Sequence, residues 1–209
     1  MESPAGGVGV PSYRGICANY DRLHHRFLRY AGSGGQSAFE GAVLALLNPG
    51  MTVLDAASGT GSFAARLLAK SSGISLTLLD ACPEMIARTP DLPVCKVTAR
   101  LENMPFADDS FDLVTCAWGI EITDRPYDTV LELLRVTRRG GHVCLVSCAD
   151  VPLKSVAEWI MKQAIYIRDT GIFIDPTQLT RLSSNPCVAF ARRIPCLGPA
   201  LAMVIKKAE

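Results

Sequence analysis

The sequence has little that would direct it to a membrane, to a secretory route or to nucleic acid. Its 21 Lys and Arg residues nearly balance its 20 Asp and Glu residues, so no charge excess favours nucleic acid or an acidic membrane surface as a partner. Gly, Pro or charged residues break every apolar run before the roughly 20 residues of a membrane-spanning helix. These absences predict a cytoplasmic protein with no integral membrane segment, and a length of 209 residues predicts one domain.

The first residues, MESPAGGVGVPSYRG, are rich in Gly and Pro and lack the charged and apolar regions of a secretory signal. We interpret residues 1–17 as a flexible arm. Organellar targeting is the alternative, because arginines recur at Arg14, Arg22, Arg26 and Arg29.

The sequence also lacks the cysteine spacing that metal sites use. Its 8 cysteines are scattered, and no Cys-x-x-Cys pair occurs among them. Many fall inside apolar runs, which is typical of buried small side chains. We therefore predict reduced cytosolic thiols, with neither disulfides nor a metal site.

Short β-rich runs alternate with stretches of helical period from about Thr52 to Ser147, a pattern typical of parallel strands joined by crossover helices. The predicted strands are MTVLDAA, SLTLLDA, FDLVTCAWG and GHVCLVSC, and the predicted covering helices are SFAARLLAK, CPEMIAR and YDTVLELLRVT. Arg138 to Gly141 is interpreted as the glycine-capped end of a helix. Further amphipathic helices are predicted over residues 18–30 and from Leu153 to Arg168.

Two more strands, NPCVAFARRIPC and ALAMVIKKA, are predicted near the C-terminus, with a Leu-Gly-Pro turn between them. A connection this short requires an antiparallel pair, because parallel strands need a long crossover. The predicted fold class is therefore α/β, with a mostly parallel sheet that carries a hairpin at one edge.

The first strand runs into a turn of small residues, VLDAASGTG, whose backbone a ligand can approach closely. The spacing of Gly59 and Gly61 does not fit Gly-x-Gly-x-x-Gly, and no lysine follows, which argues against an NAD-linked enzyme and a phosphate-binding P-loop. Asp55 would repel a pyrophosphate and suits a cationic ligand. Asp80 ends the second strand, where a carboxylate can bind ribose hydroxyls. Ribose joined to a cationic group indicates S-adenosylmethionine.

Four stretches carry a family resemblance: VLDAASGTGSFAARLL, LTLLDACPEM, LENMPFADDSFDLVTCAWGIEITD and LELLRVTRRGGHVCLV. Together they resemble class I S-adenosylmethionine-dependent methyltransferases over about residues 50 to 148. The likeness is greatest to the methyltransferase type 11 branch that contains the ubiquinone and menaquinone C-methyltransferases. S-adenosylmethionine is the implied cofactor, S-adenosylhomocysteine the implied product and a small molecule the implied methyl acceptor.

The resemblance implies a Rossmann-like, doubly wound sheet of seven strands with helices on both faces, an antiparallel C-terminal hairpin strand and an N-terminal helical lid. One methyltransferase domain over residues 1–209 would comprise the arm, N-terminal helices (18–47), a cofactor-binding core (50–148), a substrate-cap insertion (149–182) and C-terminal strands (183–209). A homodimer stays open.

The resemblance also implies roles for individual residues. Gly59 and Gly61 would let the backbone approach the methionine part, Asp55 would anchor the network around its ammonium group, and Asp80 would hold the ribose. The other cofactor-binding residues implied are Ala57 and Ser58 in the turn, Ala81, Cys82 and Leu101 beside the adenine, Cys116 and Trp118 near the methionine, and Tyr20 as a cover.

Two positions depart from the family pattern. Arg100 stands where members commonly place an acid that accepts the adenine amine, and arginine cannot accept a hydrogen bond. Glu121 and Ile122 stand where the quinone branch has Arg-Asn. The charge reversal beside the expected acceptor pocket makes an acceptor other than a quinone plausible.

The candidate bases are His24 and His25, which lie on the predicted N-terminal helix and could take a proton from an acceptor. Between the fourth and fifth regular strands the apolar side chains Trp159, Met161, Tyr166, Phe173 and Ile174 predict a small apolar or aromatic acceptor. Quinone-like or phenolic rings come first, lipid amine head groups second and thiols third. A binding or regulatory protein that holds the cofactor without turnover is the alternative.

Overall fold

The structure, a computed structural model, describes residues 17–152, 155–169 and 173–209. Within these ranges the chain forms one sheet of seven strands in the order β3-β2-β1-β4-β5-β7-β6. The strands are β1 (Thr52–Ala56), β2 (Ser75–Asp80), β3 (Val94–Thr98), β4 (Phe111–Ala117), β5 (Thr137–Cys148), β6 (Val188–Ile194) and β7 (Ala200–Lys207). β7 runs antiparallel to both β5 and β6, and every other pairing is parallel.

Six α-helices accompany the sheet in the described ranges. They are α1 (Tyr20–Phe27), α2 (Ser33–Leu46), α3 (Ser62–Lys70), α4 (Pro83–Ile86), α5 (Pro126–Val136) and α6 (Val156–Asp169), with a π-helical turn at Leu28–Gly32. Shorter 3-10 segments lie at Cys17–Asn19, Ile120–Ile122 and Pro176–Ser184. None of these helices has both the length and the apolar character that a membrane crossing requires.

Helices cover both faces of the sheet because successive strand residues point to opposite sides. Val53 packs with Phe39 of α2 and Phe63 of α3 on one face. Leu54, the next residue, packs with Leu133 of α5 on the other face. The central strands are therefore buried on both sides, which explains why their sequences are almost continuously apolar. The predicted doubly wound α/β fold is confirmed.

The topology brings three strand ends together. β1 lies between β2 and β4, with Ala56 paired to Leu79 on one side and to Cys116 on the other. Since the three strands are parallel, the residues that follow them emerge at one edge of the sheet. From β1 the chain order runs outward in both directions, to β2 and β3 on one side and to β4 and β5 on the other. Ligands of open α/β sheets bind at the point where the strand order reverses in this way.

The predicted hairpin and both amphipathic helices are confirmed. β6 and β7 form an antiparallel pair with β6 at the sheet edge. Residues 18–30 contribute α1 and most of the π-helical turn, and α6 covers most of the second predicted helix. Residues 153–154 of that helix, and the arm over residues 1–16, lie outside the described residues.

The interpretation of Arg138 to Gly141 as a helix end is wrong. α5 ends at Val136, and Thr137 has extended backbone while its hydroxyl donates to the Leu133 carbonyl at 2.7 Å. The following residues belong to β5, where the pairing with β4 jumps from Thr137 to His142. Gly140 takes φ 71° inside this irregularity. Gly140 therefore lies in a β-bulge and does not cap a helix.

Candidate functional site

A cavity of about 390 Å³ opens at the edge where β1, β2 and β4 end. Eight of the twelve residues predicted to bind a cofactor line it. They are Tyr20, Ala57, Gly59, Asp80, Ala81, Cys82, Leu101 and Trp118. These residues come from α1 and from the ends of four strands, β1 to β4, so the fold brings together what the sequence separates.

The other four predicted residues do not line this cavity. Asp55 and Cys116 are buried within β1 and β4, while Ser58 and Gly61 lie in the turn that follows β1. Their roles toward a ligand stay predictions, as do those of the eight lining residues.

The two candidate bases also lie outside the cavity wall. His24 is half-buried and stacks on the ring of Tyr20, with centroids 5.5 Å apart, and His25 is exposed. Their predicted part in proton transfer is not tested by this placement.

Asp80 holds the turn in shape while it faces the cavity. Its two carboxylate oxygens accept the backbone N–H groups of Gly59 at 2.8 Å and Cys82 at 2.9 Å. Burial raises the pKa of this carboxyl, and the N–H donors from Cys82 and Gly59 oppose that shift. Each carboxylate oxygen can accept more than one hydrogen bond, so the group can also bind a sugar hydroxyl.

Asp55 is a buried carboxyl behind the turn, and it fits a cationic ligand. One oxygen accepts the Thr115 hydroxyl at 3.0 Å, while Oδ2 is buried with no hydrogen-bond partner in the described residues. Burial, reinforced by nearby Asp80, raises the pKa of Asp55 to about 7, although Thr115 and Arg66 act in the opposite direction. A buried polar atom of this kind needs an explanation, and a positive group held in the cavity would supply one.

The backbone at the cavity is unusual in a way that suits close approach by a ligand. Ala57 and Trp118, the residues that follow β1 and β4, have φ of 60° and 57°, in the left-handed region that few residues other than glycine adopt. A Cβ atom on Gly119 would lie 2.4 Å from the Cβ of Ala57. Such strain concentrates at functional sites.

Helix α1 is fixed across the turn. Tyr20 lies over Gly59, since a Cβ on Gly59 would approach its ring to 3.4 Å. Asp21 accepts a hydrogen bond from the Thr60 hydroxyl and pairs with Arg88 at 3.6 Å. These contacts place α1 where the predicted lid was expected.

Trp118 joins the end of β4 to both N-terminal helices. Phe27 of α1 meets its ring edge-on at 4.8 Å, and its indole N–H donates to Gln36 of α2 at 2.6 Å. Gln36 in turn donates to Glu40, which also accepts Arg66 of α3. The cavity wall is therefore tied to α2 and α3 through one hydrogen-bonded chain and to α1 through an aromatic contact.

Eight cavity residues were not predicted. They are Pro83, Glu84, Met85, Arg100, Glu102, Gly119, Ile122 and Thr123. Arg100, which departs from the family pattern, lines the cavity with its guanidinium bound to Glu102 at 2.9 Å. Position just after a strand end is the signal that could have found Gly119 and Glu84.

A second cavity, of about 500 Å³, lies beside the first, and Thr123 borders both. Its wall combines the apolar surface of Tyr127, Phe173 and Ile174 with charged side chains, namely Glu121, Asp124, Arg125, Asp128 and Arg181. Glu121 is buried, and its Oε1 accepts the backbone N–H of Cys148 at 3.1 Å. A carboxylate, aromatic rings and an aliphatic side chain thus meet next to the first cavity.

Comparison with known proteins identifies the domain. A family model described as a methyltransferase domain matches residues 54–145. A demethylmenaquinone methyltransferase of Beutenbergia cavernae is 34% identical over 142 residues, which is 66% of this chain and 55% of that protein. A ubiquinone/menaquinone biosynthesis C-methyltransferase of Paracoccus denitrificans is 31% identical over 119 residues, 53% of this chain and 47% of the relative. The chain spans about half the length of these curated relatives.

Solved structures agree on the fold. An S-adenosylmethionine-dependent methyltransferase of Thermotoga maritima superposes with a TM-score of 0.68 at 17% identity, over 93% of this chain and 98% of that one. A chain from the Haloferax volcanii complex of the Trm112 methyltransferase activator with a methyltransferase gives 0.71 at 16% identity, over 95% and 98%. Residues 54–145 thus match the methyltransferase domain family, and the chain shares the fold of solved S-adenosylmethionine-dependent methyltransferases.

Proposed function

We propose that this chain transfers a methyl group from S-adenosylmethionine to a small aromatic acceptor of the quinol or phenol class. The observation that carries the proposal is the pair of carboxyls at the switch point of the sheet. Asp80 faces the first cavity, and Asp55 lies buried behind its turn with one oxygen unsatisfied. Asp80 suits the ribose of S-adenosylmethionine, and Asp55 suits the positive charge of its amino acid part.

When bound, S-adenosylmethionine would supply a methyl group on a positively charged sulfur, ready for in-line displacement. Asp80 would hold the ribose and Asp55 would favour the positive charge. Gly59, which has no side chain, would let the backbone approach the methionine part of the cofactor closely. Tyr20 and Trp118 would exclude water from the cavity they line. Placement of two reactants in a dry pocket accounts for much of the rate of such a reaction.

The second cavity is the proposed acceptor site. Tyr127, Phe173 and Ile174 offer ring and aliphatic surface, and Thr123 connects this space to the first cavity. A phenol must lose a proton before its oxygen or ring carbon becomes a strong nucleophile. The Glu121 carboxylate, buried in this wall, would accept that proton.

The similar proteins of Beutenbergia cavernae and Paracoccus denitrificans support a quinol, since they are named for menaquinone or ubiquinone synthesis. The acceptor side nevertheless differs, because Glu121 and Ile122 occupy the positions of the quinone-branch Arg-Asn pair. A buried carboxylate attracts an ammonium group, so N-methylation of a lipid amine head group is the second candidate function.

The proposal is tested by transfer of labelled methyl from S-adenosylmethionine to a demethylated naphthoquinol, catechol, phosphatidylethanolamine and a small thiol. We expect product from the naphthoquinol or catechol. Glu121→Gln keeps an oxygen that can accept from Cys148, so it should bind S-adenosylhomocysteine like the parent while transfer falls by about 100-fold or more.

Methylation of phosphatidylethanolamine alone would replace the quinol assignment with the amine assignment. Cofactor binding without transfer to any acceptor would identify a binding or regulatory protein. Full transfer by Glu121→Gln would remove this residue as the proton acceptor.

A further inference from the structure

The exposed apolar surface of the described chain is concentrated at one place. Every large hydrophobic side chain that is exposed in these residues is one of Tyr30 (61%), Val156 (74%), Trp159 (53%), Ile160 (57%) and Leu197 (74%). Scattered single residues of this kind are ordinary, whereas a contiguous group marks an interaction site. We call these five residues the apolar corner.

The five side chains come from three segments that touch one another. Helix α6, which carries Val156, Trp159 and Ile160, packs against the π-helical turn that carries Tyr30. Leu197 lies on the loop between β6 and β7, and the next residue, Gly198, donates its N–H to Glu158 of α6 at 3.4 Å. The apolar corner therefore gathers exposed side chains from three segments that pack together.

The charges around the apolar corner are positive. Arg26 and Arg29 are exposed on the helix and turn that lead to Tyr30, and the Arg29 guanidinium lies 5.6 Å from the centre of the Tyr30 ring. Among the described residues no carboxylate forms an ion pair with either arginine. Two acids of the neighbouring segments are already engaged, since Glu158 is buried and accepts the Gly198 N–H while Asp150 pairs with Lys162.

We propose that the apolar corner docks this protein onto the surface of an anionic lipid bilayer. Trp159 and Tyr30 have the amphipathic rings that suit the boundary between head groups and acyl chains, and Val156, Ile160 and Leu197 would enter the apolar layer. Arg26 and Arg29 would lie among the lipid phosphates, where each cation adds to the attraction.

Charge complementarity favours lipid over a second copy of the chain. A two-fold contact would bring the same surface to both sides of the interface, because such interfaces are isologous. Arg26 and Arg29 would then face the same arginines of the partner, with no available described carboxylate at the corner to compensate them. An anionic bilayer offers both the apolar phase and the opposite charge.

The geometry also connects this surface to the first cavity. Helix α1 begins with Tyr20 on the cavity wall and leads directly into the turn with Tyr30, while Phe27 between them contacts Trp118. The acceptors of the proposed function, apolar quinols or lipid amines, reside in bilayers. The docking itself does not depend on that function, and its test needs no methyl acceptor.

The test measures binding of the full chain to vesicles of phosphatidylcholine alone or mixed with phosphatidylglycerol, by co-sedimentation and by tryptophan emission. We expect binding to the anionic vesicles with a shift of the emission to shorter wavelength. Trp159→Ser combined with Ile160→Ser should reduce the partition coefficient about 10-fold, since exposed positions tolerate the change without loss of folding. Arg26→Glu combined with Arg29→Glu should reduce it by a similar factor, whereas Lys70→Glu, an exposed charge reversal on α3, should not.

Three results would overturn the proposal. Absence of binding to anionic vesicles is one, and unchanged binding of the Trp159→Ser, Ile160→Ser variant is another. The third is a dimer in solution that the same variant dissociates, because the apolar corner would then be the contact between two copies. Loss of methyl transfer with intact vesicle binding would count against the proposed function alone.

Discussion

Asp80→Asn is expected to weaken binding of S-adenosylhomocysteine by about 10- to 100-fold, which corresponds to about 1.5 to 3 kcal/mol for lost hydrogen bonds to a charged group. The amide keeps one acceptor oxygen, so it can serve only one of the N–H groups of Gly59 and Cys82, and the loss of the other contact has to be separated from the loss of sugar binding. Isothermal titration calorimetry measures the change. Asp91→Asn, on an exposed residue outside the cavity wall, is the matched control and should bind like the parent.

A homocysteine nucleoside without the two ribose hydroxyls separates sugar binding from a collapsed turn. If Asp80 holds the ribose, this analogue binds weakly to the parent and equally weakly to Asp80→Asn. The contrary result is that Asp80→Asn lowers the affinity for the analogue by the same factor as it lowers the affinity for the intact nucleoside. Asp80 would then only shape the turn, which would contradict its assignment to the sugar.

Asp55→Asn is expected to make the empty protein more stable at pH 8 and a poorer binder of the cofactor. Burial raises the pKa of Asp55 from 3.8 to about 7, so the folded state holds this proton more tightly than the unfolded state does. Stability from that proton is full below about pH 4 and is lost as the pH rises through about 7. The amide avoids the cost of ionising a buried group, and a gain of about 1 to 3 kcal/mol remains after its own unpaired N–H is counted.

Urea unfolding at pH 5 and pH 8 measures this effect. The parent should lose more stability than Asp55→Asn between the two values, and the variant should bind S-adenosylmethionine at least about 10-fold more weakly at pH 8. Parent affinity for S-adenosylmethionine should rise with pH through about 7, because the ionised carboxylate attracts the positive ligand. A variant that is less stable than the parent at pH 8 would contradict the proposed ionisation.

The sequence was sufficient for the fold because the pattern is strongest where burial is complete. Val53 and Leu54 serve opposite faces of the sheet, and a strand buried on both sides reads as an uninterrupted apolar run. β3 was missed because it lies at the sheet edge, where Cys95 and Lys96 are exposed and break the apolar run. The helix end predicted over Arg138 to Gly141 was wrong because glycine is common both at helix caps and in strand bulges.

Site residues were predictable only where a chemically distinctive side chain, such as a carboxyl, lies at the end of a predicted strand. Asp55 and Asp80 stand out as carboxyls at strand ends, but the sequence does not reveal that one lines the cavity while the other lies behind its turn. Nothing in the sequence around Gly119 marks it as a site residue. Its need to be glycine comes from the close approach of Ala57, which follows a strand distant in sequence.

Surface properties were the least predictable. Net charge near zero suggested no affinity for an acidic membrane surface, because composition averages over the whole chain. Arg26 and Arg29 lie beside Tyr30 while the acids that balance them are engaged elsewhere. Only the folded chain gathers Trp159, Ile160 and Leu197 from separate segments into one surface.

A crystal structure of the protein with S-adenosylhomocysteine tests the central claim most directly. The account predicts both ribose hydroxyls within hydrogen-bonding distance of the Asp80 carboxylate, and the amino acid part beside the turn from Ala57 to Gly61, on the side of Asp55. A nucleoside bound away from Asp80, or a first cavity closed by the protein's own side chains, would contradict it.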